Sequence, residues 1–113
     1  MKLQEQKCVP CQGGMAPLTQ QEAQNLQKEV PDWTLKDNAM ERTFRFRDFK
    51  EAMRFVNDVA EAAENEGHHP DIHIFYNKVR LELTTHKIKG LSQNDFILAA
   101  KIDALAGKTG PVG

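Results

Sequence analysis

A single amphipathic helix constrains the fold of this chain more than any other sequence feature. Apolar residues recur at helical spacing from Phe49 to Ala63, Asp48 stands where a helix cap is expected, and Gly67 follows the last turn. This pattern predicts a helix of about 18 residues with one buried stripe. Because such a stripe must be buried against a second layer, the segments on either side of the helix have to supply that layer.

Segments with strand character lie on both sides of this helix. The turn-forming pair Asp37-Asn38 separates two of them, and a turn near Asn77-Lys78 separates the other two. Short turns between consecutive strands favour antiparallel pairing. The four predicted strands cover residues 33–35, 40–47, 71–77 and 78–86.

Capping boxes predict two further helices. Thr19 begins the first, which Pro31 ends, and Ser92 with Asp95 begins the last, which continues to about Ala106. The order helix, two strands, helix, two strands, helix predicts an α+β fold, a four-stranded antiparallel sheet with three helices packed on one face. Two edges of such a sheet stay open, so pairing of edges between subunits is a route to oligomers.

The 113 residues contain no internal repeat, low-complexity tract or linker, which predicts one domain. We predict a flexible N-terminal arm at residues 1–17, the domain at 18–106 and a flexible tail at 107–113. Fifteen Lys+Arg against sixteen Asp+Glu give a net charge of −1, which offers no basic surface for direct nucleic-acid binding. The sequence has no long apolar run and no apolar segment near residue 1, so we expect neither a membrane-spanning helix nor a secretory signal.

All four histidines of the chain lie between His68 and His86. His68 and His69 follow the end of the long helix and precede Pro70, whereas His86 lies at the far end of the next predicted hairpin. Antiparallel pairing places the two ends of a hairpin side by side, so we expect these three histidines to converge. His73 is interpreted as an ordinary strand residue.

Three interpretations of the histidine cluster are open on these grounds: surface histidines, a zinc site, or proton transfer without a metal. Adjacent histidines on extended backbone point apart, which is poor chelate geometry for zinc. The spacing of His69 and His73 would suit a helix, but this segment is predicted as a strand. Imidazole titrates near pH ~6.5, which suits proton transfer at neutral pH.

One spaced set of residues extends through the domain: Glu64, His68, His69, Pro70, Tyr76, His86 and Asp95. The stretches 30–33, 76–79, 84–86 and 90–92 accompany it. Together these positions resemble the signature of the pterin-4a-carbinolamine dehydratases, and the resemblance covers about residues 18–106. The motif is specific because it fixes residue types at several separated positions.

The resemblance implies a hydro-lyase that removes water from 4a-hydroxytetrahydropterin, a product of aromatic amino-acid hydroxylases, to give quinonoid dihydropterin. The departing hydroxyl needs a proton and a ring nitrogen loses one, so an acid and a base suffice without metal or organic cofactor. By this resemblance His68 and His86 transfer protons and His69 mainly holds the pterin. Glu64 and Asp95 are expected to bind substrate or support a histidine, although Asp95 also fits the predicted capping box.

Two positions depart from the family pattern. Ile72 stands where many members have an aromatic residue, and Gly67 stands where some have an acidic one. No stacking or proton-relay role is therefore carried over to these positions. Phe75 and Tyr76 are interpreted as sheet packing rather than pterin stacking.

The pair Cys8 and Cys11 resembles the arm of bacterial members of the family. A lone Cys-x₂-Cys is half of a zinc site or a redox pair, and we favour free thiols on a mobile arm over a metal shared between subunits. We expect a cytoplasmic homodimer or homotetramer, with a phenylalanine hydroxylase as a candidate partner. Because animal members also act as dimerisation cofactors for a homeodomain transcription factor, a non-catalytic regulatory binding role is the alternative.

Overall fold

The computed structural model describes residues 3–8 and 16–109 of the chain. Within these residues, helices α1, α2 and α3 span Gln20–Gln27, Phe49–Glu66 and Gln93–Thr109. Strands β1, β2, β3 and β4 span Thr34–Lys36, Ala39–Arg45, Asp71–Phe75 and Lys78–Leu83, and short 3-10 helices lie at Leu3–Glu5 and His86–Ile88. None of the described helices is long and apolar enough to cross a membrane.

The caps predicted for α1 and α2 are confirmed. The Thr19 hydroxyl accepts a hydrogen bond from the backbone N–H of Glu22, and the Glu22 carboxylate accepts one from the backbone N–H of Thr19. At α2, the Asp48 carboxylate accepts from the backbone N–H of Glu51. Gly67 ends α2 with a φ of 65°, a left-handed conformation that costs glycine little and that turns the chain out of the helix.

The four strands form one antiparallel sheet in the order β1-β2-β4-β3. In the β3–β4 hairpin, Asp71 pairs with Glu82 and Phe75 pairs with Lys78. The residues just before β3 and just after β4 therefore lie at the same end of the sheet. This arrangement brings the chain after α2 close to the chain after β4, as the hairpin prediction required.

One face of the sheet is buried under helices and the other is charged. On β4, Val79, Leu81 and Leu83 are fully buried, and α2 contacts both β4 and α3. Arg80 and Glu82 alternate with them and form an ion pair on the opposite face. The predicted α+β fold, with three helices on one face of a four-stranded antiparallel sheet, is confirmed.

Four elements are shorter than predicted: α1, β2, β3 and β4. Helix α1 ends at Gln27, before Pro31, because the chain turns there to place Val30 in the core, where it is fully buried. Strand β4 ends at Leu83 rather than reaching His86. The backbone N–H of Thr85 donates to the carbonyl oxygen of Gly90, and this bridge closes the loop that carries His86 in a 3-10 helix.

The ends of the described chain also differ from the prediction. Helix α3 continues to Thr109, so residues 107–109 of the predicted tail are helical. In the predicted arm, Leu3 is only 2% exposed, and its 3-10 helix contacts α3. Residues 1–2, 9–15 and 110–113, and with them Cys11, lie outside the described residues. The flexibility of the arm and the tail stays a prediction.

Candidate active site

The three histidines predicted for the site line one cavity of about 570 Å³, together with Glu64. His68 and His69 come from the segment after α2, and His86 comes from the 3-10 helix after β4. Cavities of a few hundred Å³ are typical of small-molecule sites. The hairpin thus brings together side chains that are far apart in sequence.

His68 is held by a buried carboxylate. Its side chain is 12% exposed, and its Nε2 lies 2.6 Å from Oδ1 of Asp95, which is fully buried. Pairing through Nε2 leaves Nδ1 as the ring nitrogen that can exchange a proton with a ligand. The carboxylate also stabilises the positive charge that His68 acquires when it accepts a proton.

The second carboxylate oxygen of Asp95 also accepts hydrogen bonds. Oδ2 accepts hydrogen bonds from the Thr85 hydroxyl and from the backbone N–H of Ser92, each at 2.9 Å. The bond from Ser92 is the contact expected of a capping box at the start of α3. Asp95 therefore has both roles that the sequence left open: it caps α3 and it orients His68.

His69 and Glu64 form a second, solvent-exposed pair. Nε2 of His69 lies 2.5 Å from Oε1 of Glu64, and the two side chains are 59% and 77% exposed. Glu64 lies in the last turn of α2, one turn before His68, so the helix positions the carboxylate and the carboxylate orients the ring of His69. Exposed pairs of this kind contribute little to stability, and this one is better placed to contact a ligand.

His86 is exposed on the opposite element of the cavity. Across the described chain, no hydrogen bond or ion pair holds its ring. The compact loop that carries it is closed by the Thr85–Gly90 bridge, and Lys89 adopts a left-handed conformation with a φ of 55°. His86 thus has a defined backbone position and a side chain that can adjust to a ligand.

A slightly larger cavity, of about 620 Å³, lies elsewhere, between α1 and β1. Its lining contains glutamine, threonine and leucine side chains but no histidine. The larger cavity also contains the Asp37 carboxylate, but we take the histidine cavity as the candidate site because it alone of the two contains imidazoles, which transfer protons near neutral pH.

The ligand set needed for zinc is not found in the described chain. Among residues 3–8 and 16–109, no three His, Cys, Asp or Glu side chains are grouped so that they could hold a metal ion together. His68 and His69 instead pair with separate carboxylates, Asp95 and Glu64. That catalysis proceeds without a metal stays a prediction.

The structure places the remaining predicted residues away from the cavity. His73 lies on the charged face of the sheet, with Nε2 3.4 Å from a Glu82 carboxylate oxygen. Phe75 and Tyr76 are mostly exposed, and Tyr76 stacks on Phe49 with ring centroids 6.5 Å apart. These aromatic rings therefore neither fill the core nor line the histidine cavity.

Sequence reasoning missed three residues around the site. Thr85 holds Asp95, and its position just before His86 in the family-like segment was a signal for it. Cys8 and Glu66 also line the cavity, and the backbone N–H of Cys8 donates to Glu66 Oε1 at 2.8 Å. Burial, assisted by the charge of Glu66, raises the pKa of the Cys8 thiol to about 12. No local pattern indicates such a contact across the chain.

The sequence of this chain is similar to those of one known protein family. The family described as "Pterin 4 alpha carbinolamine dehydratase" matches residues 16–105. A protein of Methylococcus capsulatus, whose name assigns it provisionally to the pterin-4-alpha-carbinolamine dehydratases, is 54% identical over 94% of this chain and 95% of its own length. A relative from Halorhodospira halophila with the same provisional name is 51% identical over 93% of this chain and 98% of its own.

Two solved structures share the fold. A crystal structure described as a transcriptional coactivator/pterin dehydratase from Brucella melitensis has a TM-score of 0.77 and 34% identity, covering 80% of this chain and 99% of that one. A pterin dehydratase-like protein described as a RuBisCO assembly factor in the α-carboxysome has a TM-score of 0.56 and 25% identity, covering 66% and 87%. On these matches, the chain belongs to the pterin-4a-carbinolamine dehydratase family.

Proposed function

We propose that this protein dehydrates 4a-hydroxytetrahydropterin to quinonoid dihydropterin. The observation that carries the proposal is the meeting of His68, His69 and His86 in one cavity, with a buried carboxylate behind His68. In the reaction the bond from C4a to the hydroxyl oxygen breaks, and the oxygen leaves as water after gaining a proton. A ring nitrogen loses a proton, and its electron pair forms the new carbon–nitrogen double bond.

His68 suits the role of base in this scheme. Its Nε2 is paired with Asp95, so Nδ1 accepts the proton of the ring nitrogen while Asp95 stabilises the resulting imidazolium. His86, on the opposite element, then donates the proton that the departing hydroxyl needs. Each group of this kind contributes about 10²–10⁴-fold to a rate.

His69 and Glu64 are proposed to hold the pterin. Both are exposed at the cavity and paired with each other, so a ligand can exchange this pair for contacts of its own. The amino and amide groups of a pterin ring offer hydrogen-bond donors to a carboxylate and acceptors to an imidazolium. Substitution here should therefore raise KM more than it lowers kcat.

The experiment is stopped-flow dehydration of freshly generated 4a-hydroxytetrahydropterin by the wild-type protein and its histidine variants. We expect His68→Ala and His86→Ala each to lower kcat by about 10²-fold or more. His73→Ala is the matched control, because His73 lies on the charged sheet face, and its kcat should equal that of the wild type. A wild type no faster than buffer overturns the function, and variants as fast as wild type overturn the roles.

The pH profile separates the acid from the base. A base fails when protonated and an acid fails when deprotonated, so the wild-type profile should be bell-shaped around neutral pH. We expect the residual activity of His68→Ala to lose the limb at low pH and that of His86→Ala to lose the limb at high pH. A wild-type profile that is flat from about pH 5 to about pH 9 would contradict catalysis by imidazoles.

We further propose that the reaction needs no metal or organic cofactor, since the substrate supplies the bond that breaks and the electron pair that forms the double bond, and the protein has to supply only two proton transfers. Separate carboxylate partners for His68 and His69 support this. Stoichiometric zinc in the purified protein, lost in His68→Ala, would overturn it. The setting we propose is pterin recycling in the cytoplasm beside a phenylalanine hydroxylase.

Self-association is part of the proposal. Strand β3 is an open edge of the sheet, and four apolar side chains near it are exposed: Phe49, Ile74, Phe75 and Tyr76. Open edges and clustered apolar side chains are both typical of surfaces that bind another chain. A homodimer or homotetramer would cover them.

A non-catalytic role in binding another protein is the second candidate. The same exposed apolar side chains support it, as do the structural relatives described as a coactivator and as an assembly factor. The kinetic experiment distinguishes the two candidates, because a binding module would not accelerate dehydration. Intact histidines backed by carboxylates favour the enzyme.

A further inference from the structure

Residues 3–8 of the N-terminal segment contact the helices that carry the site. Leu3 is 2% exposed, and the Lys101 ammonium on α3 donates to the carbonyl oxygen of Gln4 at 2.9 Å. At the other end of the segment, the backbone N–H of Cys8 donates to the carboxylate of Glu66, in the last turn of α2. These anchors give Cys8 a defined place between the end of α2 and the start of α3.

The side chain of Cys8 lines the histidine cavity from that place. Its thiol donates to the carbonyl oxygen of Asn94 at 3.6 Å, and Asn94 directly precedes Asp95, the partner of His68. The pKa of about 12 keeps this thiol neutral at physiological pH. A neutral thiol is a poor nucleophile and behaves as a small hydrophobic side chain. Its chemistry at this position is therefore contact rather than reaction.

We propose that Cys8 is a specificity-determining wall residue of the pterin pocket, where its small side chain leaves room for the substrate beside His68. The inference rests on the proposed function for the identity of the ligand. Cys8 lies outside residues 16–105, the part of the chain that matches the family. The wall is therefore supplied by the N-terminal segment rather than by the part of the chain that matches the family, and it would limit the size of the group that the cavity accepts.

The test enlarges the side chain at position 8 and leaves the proton-transferring histidines unchanged. Cys8→Phe places a ring in the cavity, Cys8→Ser keeps the size of the side chain, and Lys7→Phe adds the same ring at an exposed position of the same segment. We expect Cys8→Phe to raise KM, and the Kd for 7,8-dihydrobiopterin, by about ten-fold, with kcat within about three-fold of wild type. The other two variants should stay within about two-fold of wild type in all three constants.

Alkylation provides a second measurement that needs no folded variant. The raised pKa of Cys8 leaves only a small thiolate fraction at pH 9, so peptide mapping after prolonged treatment with excess iodoacetamide reports a slow modification rate of Cys8 in the wild-type protein. We expect bound 7,8-dihydrobiopterin to slow this rate by about five-fold or more, because a ligand against the wall covers the sulfur. An unchanged modification rate would contradict the proposal that Cys8 forms a wall of the pocket. A folded Cys8→Phe variant with wild-type KM and Kd would contradict it as well.

These outcomes separate the wall from the proposed function. If the wild type binds 7,8-dihydrobiopterin in a manner sensitive to Cys8→Phe but does not accelerate dehydration, the wall stands and the function fails. If the wild type accelerates dehydration and Cys8→Phe does so with the same KM, the function stands and the wall fails.

Discussion

At the scale of single residues, the site depends most on the buried carboxylate of Asp95. The variant Asp95→Asn keeps the shape of the side chain but replaces one acceptor oxygen by a donor and removes the charge opposite His68. We expect kcat to fall by about 10–100-fold, because the imidazolium loses the group that stabilises it. The free energy of unfolding should fall by about 1–3 kcal/mol, because a buried donor is left facing other donors. Stopped-flow kinetics and urea unfolding measure the two effects.

Asp103 provides the matched control for this prediction. It is a second carboxylate on α3, 25% exposed, and it accepts hydrogen bonds from the Trp33 indole and the Arg42 guanidinium. Burial raises its pKa, and it lies away from the histidine cavity. Because burial disfavours the ionised form of Asp103, we expect Asp103→Asn to lower the free energy of unfolding less than Asp95→Asn does and to leave kcat unchanged. A wild-type kcat in Asp95→Asn, or an equal loss in both variants, would contradict the role given to Asp95.

Asp95 also shows how far the sequence could predict the site. The capping role of Asp95 follows from three neighbouring positions, so a local pattern identifies it. Its contact with His68 spans 27 residues and depends on how the hairpin packs against α3. The family signature named both residues without stating that they touch. Cys8 was predicted to lie on a mobile arm. Its backbone N–H donates to the carboxylate of Glu66, and no local sequence pattern indicates that long-range hydrogen bond.

At the scale of elements, Gly67 determines where α2 ends and where the histidine segment begins. Its φ of 65° is unfavourable for a residue with a Cβ, yet an added Cβ would meet no atom within 4 Å. The cost of Gly67→Ala is therefore conformational, and we expect the free energy of unfolding to fall by about 1 kcal/mol. Asparagine tolerates this conformation better, so Gly67→Asn should lose less. Urea unfolding of both variants tests this order, and a Gly67→Ala as stable as wild type would contradict it.

Elements with a strong periodic pattern were predicted closely, and the ends of the others were not. The apolar stripe and both end signals of α2 lie within the helix itself, so Phe49–Glu66 matches the predicted length. Strand β4 was predicted too long because alternation continues through Thr85, which is indeed buried. What ends the strand is the bridge from Thr85 to Gly90, a contact that alternation does not encode.

At the scale of the whole molecule, the two faces and the edge of the sheet differ in character. Charged side chains on the open face of the sheet pair with one another; for example, Glu41 forms ion pairs with both Lys36 and Arg80. The net charge of −1 adds little repulsion between copies. The exposed aromatic residues are instead concentrated at one corner, at the start of α2 and the end of β3. This distribution favours association at the β3 edge over association at the charged face.

Oligomerisation through that corner is testable with a charge at its centre. The Phe75 side chain is 57% exposed on the open edge strand, so Phe75→Lys should cost the monomer little. In an oligomer the same lysine would be buried against a second chain, and we expect the dissociation constant to rise by about ten-fold or more. Thr34→Lys, on the opposite edge strand, is the control and should leave assembly unchanged. Sedimentation velocity over a concentration series measures both, and a monomeric wild type, or a Phe75→Lys that assembles like it, would mean that this edge does not join subunits.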